Sequence, residues 1–174
     1  MAAIRPATSS EVPALSALAR RTWSDAFGQS VDSRAEAIEL EQTRSEAYFI
    51  RALHDKTILV AERNGALVGY VQFGDVEIPE VDVERGDQAL QRLYVESASQ
   101  GEGVGRELLD AALEHPRLAS ARRIYLQVWE ENVSAIRLYE SFGFRTVGRT
   151  TFTIGSAQLA EDLVMVLDKR NGQR

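Results

Sequence analysis

The sequence predicts a mixed α/β domain, and three observations carry that expectation. Two β-branched apolar runs flank Arg63-Asn64-Gly65 near the middle of the chain, the signature of an antiparallel hairpin. A strand, a glycine-rich turn, a helix and another strand follow between about residues 89 and 129. That order implies a right-handed parallel crossover. The last third closes with two further apolar strand patterns that read as an antiparallel pair. Parallel and antiparallel pairing in one chain means a mixed, twisted sheet, of about seven strands with about four helices around it.

Taken in order, Ala3 to Ala7 reads as a first strand. Ser9 or Ser10 then caps a helix with Glu11 in its first turn. Val12, Leu15, Leu18, Ala19, Trp23 and Phe27 recur at helical spacing, and Gly28 stops the run. A second helix is expected from about Arg34 to Leu53. The hairpin strands are Thr57–Ala61 and Leu67–Phe73. The stretch from Gly74 to Asp87 breaks the pattern and is read as a loop, with six acids against the single Arg85. Ala89–Val95 is the next strand, and Val104, Leu108, Leu109, Ala112 and Leu113 form one face of the helix after the glycine turn. Pro116 ends or kinks that helix. Arg123–Trp129 is a strand, Asn132 caps a short helix, and Gly143 suits its left-handed C-terminal position. Phe144–Ile154 and Gln158–Leu167 form the final pair.

Bulk properties narrow the function classes. The 174 residues fit a single domain spanning 1–174. With 44% hydrophobic and 26% charged residues the chain reads as globular rather than disordered. The absence of cysteine excludes disulfides and thiol chemistry. No stretch is apolar enough to span a bilayer and the N-terminus lacks an apolar leader, so a cytoplasmic protein with no membrane partner is expected. A net charge of −6 disfavours a nucleic-acid partner and suits cationic small molecules. His54 and His115 lack companions at metal-ligand spacing, so no metal is expected. A homodimer is one assembly the sequence allows.

The chemistry concentrates at Gln100-Gly101-Glu102-Gly103-Val104-Gly105-Arg106, between a strand and a helix. Glycines there permit positive φ and close backbone approach, and the free amides of a helix start favour an anion such as pyrophosphate. The turn lacks the Gly-Lys-Ser/Thr of a Walker A loop and the third glycine of a dinucleotide fingerprint, because Arg106 stands there. On these residues alone, a tight turn that binds nothing reads equally well.

Gln100-x-x-Gly103-x-Gly105 resembles the acetyl-CoA signature of the GNAT (Gcn5-related) N-acetyltransferase family. A second stretch, Leu126 to Phe144, resembles that family's other motif: a strand, Asn132, Ala135-Ile136-x-x-Tyr139 and Gly143-Phe144. The likeness covers the whole chain in element order, and it is finest to PaiA-type spermidine acetyltransferases, through Arg21–Phe27, Val128-Trp129-Glu130 and Glu161–Met165. The resemblance implies an α/β GNAT fold and acetyl-CoA as cosubstrate. It implies that Leu93, Tyr94 and Val95 offer backbone to the pantetheine arm. Gln100, Gly101, Glu102, Gly103, Val104, Gly105 and Arg106 would hold the pyrophosphate, with Asn132, Ala135 and Tyr139 completing the cofactor site. An amide near Val95 would stabilise the oxyanion and Tyr139 would protonate the departing sulfur.

The acceptor is then a small-molecule amine. A protonated alkylamine with a pKa near roughly 10.4 cannot attack until it loses a proton. Gln127 stands where some relatives carry glutamate, and an amide is no base at pH 7. Glu130, Glu77, or a carboxylate acting through water remain candidates, as does attack by an amine deprotonated in bulk solvent. Gln91 also stands where an acid could have served. Trp23, Glu77, Gln91, Gln127 and Trp129 are the expected acceptor-binding residues, on the reading that aromatic faces and the acidic stretch form a cation-binding cleft. A solvated loop accounts for the same acids equally well. A polyamine is the leading acceptor, beside aminoglycosides, protein N-termini or lysines, and a non-catalytic acetyl-CoA-binding module.

Overall fold

The computed structural model describes residues 1–154 and 157–169. Its strands run in the order β1-β2-β3-β4-β5-β7-β6, a seven-stranded mixed sheet. The chain packs as two compact units. One holds residues 1–73 and 92–113, the other 74–91 and 114–174. Among the described residues no helix is long and apolar enough to cross a membrane.

In the first unit β1 (Ala3–Pro6) pairs antiparallel with β2 (Thr57–Arg63). The first helix starts later than expected. Ser9–Glu11 forms a single 3-10 turn, in which the Glu11 carboxylate accepts the Thr8 N–H at 2.9 Å, and α1 then runs Val12–Phe27. Glu11 is drawn back because Arg5 holds it at 2.5 Å, which lowers its carboxyl to about 2. The predicted second helix is two: α2 (Ser33–Arg44) and α3 (Glu46–Asp55). The break is at Ser45, whose extended backbone lets its hydroxyl accept the Tyr48 N–H at 3.2 Å and so cap α3. The hairpin from β2 to β3 (Ala66–Gly74) is as expected. Asn64 and Gly65 take φ values of 52° and 76°, matching a turn in which both central residues are left-handed. Val12, Leu15, Leu18, Phe49, Ala52, Ile58, Val60 and Tyr70 form the core between the helices and these strands.

β4 (Gln88–Val95) passes from one unit to the other. Its first residues pair in parallel with β5 (Arg123–Trp129) inside the second unit, through Gln88↔Ile124 and Ala89↔Tyr125. Its last residues lead, in the first unit, into the glycine turn and α4 (Val104–Glu114). Gly69 on β3 explains how closely these pieces pack. A Cβ there would lie 3.0 Å from the Tyr94 carbonyl oxygen and 3.1 Å from Leu108, so only glycine fits without displacement.

In the second unit Pro116 opens a one-turn helix, α5 (Pro116–Ala119), which His115 caps by accepting the Arg117 N–H at 3.2 Å. After β5 come α6 (Val133–Ser141), β6 (Arg145–Ile154) and β7 (Ala157–Asp168). β5 and β7 pair without interruption from Arg123↔Asp168 to Trp129↔Asp162. The loop of residues 75–87 packs its apolar side onto this pair. Ile78 joins Tyr125, Val164 and Val166 in a small core, with Val76 and Val81 against it.

Candidate functional site

The first unit contributes the end of β4 and the glycine turn. Leu93, Tyr94 and Val95 are half-buried, and Gln100 ties the turn to the strand by donating from Nε2 to the Val95 carbonyl at 3.1 Å. Gly101 and Gly103 have φ values of 79° and 89°, and a Cβ built on either would meet nothing within 4 Å. Glycine is required here by backbone conformation, and the space above the turn is open. Glu107 closes the first turn of α4 by donating its N–H to the Gly103 carbonyl at 3.0 Å. The amides of Val104, Gly105 and Arg106 therefore precede the first helical hydrogen bond and point out of the helix start. Buried Val104 anchors the turn, and Glu102 is ion-paired with Arg63. Open space, the N–H groups of a helix start, the helix dipole and the exposed Arg106 fit a phosphate-bearing ligand.

Trp23, expected at the acceptor site, is only 1% exposed and lies in the core of this unit. The Arg44 guanidinium covers its ring at 5.4 Å and also stacks on Tyr94 at 5.8 Å, while Phe27 packs at 5.5 Å. With its face taken by Arg44, the indole presents no surface to a ligand. Its place in the apolar stripe of α1 foretold this burial better than its chemistry foretold binding.

The second unit contributes the end of β5 and α6. Asn132 caps α6 by accepting the Ala135 N–H at 3.1 Å, and Tyr139 is buried with its ring edge-to-face on Phe144 at 5.9 Å. Gln127 is exposed and Trp129 half-buried on β5. The Glu130 carboxylate is held by Arg149 at 2.6 Å, and Arg149 also reaches Glu161 at 3.0 Å. Gln91 donates from Nε2 to the Asp75 carbonyl at 2.9 Å, bracing the loop.

The acidic loop is less of an open negative surface than its composition implies. Asp75 pairs with Arg117 at 2.9 Å, Glu84 with Arg122 and Arg123, and buried Asp87 with Arg123 at 2.6 Å. Asp87's carboxyl sits below its usual value: burial opposes ionisation, but the Arg123 hydrogen bond and the Glu84 N–H outweigh it. Glu77, Glu80 and Asp82 are exposed on the same loop.

Asp162 is the group that reading the sequence did not single out for chemistry. It lies on β7 directly opposite Trp129 of β5 and Thr150 of β6. Burial alone pushes its carboxyl up to about 6. Its only sequence signal was its place in Glu161-Asp162-Leu163-Val164-Met165.

Comparison with known proteins gives the family and the fold. The model of the Acetyltransferase (GNAT) family matches residues 15–144. A spermine/spermidine N(1)-acetyltransferase of Bacillus subtilis is 37% identical over 89 residues, 51% of this chain and 59% of that enzyme's length. A PaiA N-acetyltransferase from Thermoplasma acidophilum, crystallised with coenzyme A, shares the fold. Its TM-score is 0.76 at 18% identity, covering 97% of this chain and 99% of the other. The putative acetyltransferase yncA from Salmonella typhimurium, solved with its cofactor acetyl-CoA, gives a TM-score of 0.68 at 25% identity, covering 97% and 94%.

Proposed function

Because this chain belongs to the GNAT acetyltransferase family, we propose that it moves the acetyl group of acetyl-CoA onto a primary amine, and that the acceptor is a polyamine or another small cationic amine. The observation that carries the reading is the glycine turn: two left-handed glycines under open space, directly ahead of the start of α4. The acetyl-CoA bound to the yncA protein supports the choice of donor, and the Bacillus subtilis enzyme's name supports the choice of acceptor.

On this reading each group has one task. The amides at the start of α4 and Arg106 hold the pyrophosphate, and Asn132 and Ala135 belong to the same cofactor site. The backbone of Leu93 to Val95 binds the pantetheine arm, and an amide near Val95 stabilises the charge that develops on the thioester oxygen. Tyr139 gives its proton to the departing sulfur, whose thiol has a pKa of roughly 8.5. Trp129 and Gln127 bind the acceptor, with Glu77 of the loop adding negative charge. Glu130 enters as a base only by leaving Arg149.

The test is a panel of amines incubated with acetyl-CoA, with release of free CoA thiol as the readout. Spermidine and related polyamines should give the highest kcat/KM. Thiol release from monoamines or peptide N-termini in preference to polyamines would contradict the acceptor reading and leave the donor reading standing.

A further inference from the structure

We propose that Asp162 and Trp129 together form the seat of the acceptor ammonium, and that Asp162 is the carboxylate that takes its proton. The inference rests on the amine-acetyltransferase reading and supplies the base which that reading lacks.

The geometry begins with the ladder. Trp129 on β5 and Asp162 on β7 are direct partners, so their side chains project from the same face of the sheet with Cβ atoms about 5 Å apart. Gln127 and Val164 are the next partners on that face, followed by Tyr125 and Val166. Ile78 of the acidic loop packs on Tyr125, Val164 and Val166, so the loop and the Trp129–Asp162 pair belong to one face of one unit. An indole beside a carboxylate offers an ammonium both a cation–π face and a counter-charge.

Asp162 is also set apart from the other acids nearby. Among the described residues its carboxylate has no hydrogen-bond donor and no cationic partner, and the burial that raises it is uncompensated. Glu161, one residue earlier, alternates to the other face and pairs with Arg149, which Glu130 shares. Glu84, Asp87 and Asp75 are spent on Arg122, Arg123 and Arg117. The groups that face Asp162 are Trp129 and Gln127 from β5 and Thr150 from β6. On the loop, Glu77, Glu80 and Asp82 are exposed acids and Arg85 is an exposed cation that forms no ion pair with Asp162. Among the described residues nothing supplies the positive charge that this half-buried carboxylate lacks, and a cationic ligand would supply it.

The proton balance is simple. The acceptor ammonium gives one proton to the Asp162 carboxylate, and the freed nitrogen lone pair attacks the thioester carbon. The carbon–nitrogen bond forms, the carbon–sulfur bond breaks, and Tyr139 protonates the sulfur. The attacking nitrogen's second proton restores the tyrosine through solvent, and Asp162 returns its own proton to water. One proton is released per acetyl group transferred.

The experiment compares wild type, Asp162→Asn and Asp162→Glu with spermidine as acceptor, reading kcat/KM from pH 5 to 9 beside acetyl-CoA affinity by calorimetry. Wild type should show a rising limb with an inflection near pH 6, where Asp162 ionises. D162N should lose about 100-fold in kcat/KM and lose that inflection, while D162E recovers part of both. Acetyl-CoA affinity should be unchanged in all three. D162N should melt no lower than wild type at pH 7.5, which separates lost chemistry from lost fold. D162N turnover within about twofold of wild type with the inflection retained overturns the inference alone. Wild-type protein that leaves spermidine unacetylated overturns both the acceptor reading and this one.

Discussion

Arg123 shows how one side chain can decide what an acidic loop is for. It bonds Asp87 at 2.6 Å and Glu84 at 3.1 Å, and Asp87 has no exposed side-chain surface. Arg123→Met would leave that buried carboxylate without its ion-pair partner, with only the more distant Arg122 as counter-charge, at a cost of about 3 kcal/mol, near the low end for a broken buried pair. The sign with pH follows from Asp87, whose carboxyl is held below its ordinary value. The pair's stabilisation is fully present above the unfolded carboxyl's pKa of roughly 3.9 and is lost as pH falls through the lower folded value. Urea denaturation should therefore show the largest deficit in R123M near neutrality and a narrowing gap toward pH 3. An unchanged gap across that range would show that the methionine side chain fails by its shape and not by its missing charge. Residues whose roles are local were legible from the sequence: Asn132 caps α6, and Gly65 and Gly143 sit at left-handed positions. Residues whose roles are set by distant neighbours were not. Trp23 is hidden by Arg44, Glu130 is held by Arg149, and Asp162 stands out only through the partners it lacks.

At the scale of elements, the strands were easier to place than the helix breaks. Alternation and the Asn64-Gly65 pair locate the hairpin, and β5 has the predicted bounds, Arg123–Trp129. The stretch from Arg34 to Leu53 looked like one helix because nothing in its composition interrupts helical propensity: it has no glycine and no proline. The break comes from Ser45 adopting an extended backbone, with the neighbouring Arg44 carbonyl fixed by the buried Ser16 hydroxyl at 2.6 Å. Two separated residues thus decide one boundary. Ser45→Ala removes the cap on α3 and should lower stability by about 1 kcal/mol, measured as a shift in the denaturation midpoint with an unchanged m-value. A neutral result would place the break in the Ser16–Arg44 contact alone.

For the molecule as a whole, the mixed seven-stranded sheet was readable from the order of its elements. Its division into two units was not, because each unit is assembled from two stretches of chain and β4 contributes to both. The same dispersal separates the candidate machinery in sequence: the glycine turn belongs to the first unit, while Tyr139, Trp129 and Asp162 belong to the second. The net charge of −6 suits a cationic acceptor, yet much of the acidic loop's charge is balanced internally, so the proposed acceptor recognition would fall to a few carboxylates rather than to a broad field. The proposed acetyl transfer depends first on the glycine turn holding acetyl-CoA. The most direct test is calorimetric titration of acetyl-CoA into wild type and Gly103→Val, with thermal melts to establish that the variant is folded. Wild type should bind, and the variant should bind at least about tenfold more weakly, because valine strains a backbone at φ 89° and fills the space a pyrophosphate would take. Equal affinity in the two folded proteins would contradict the account.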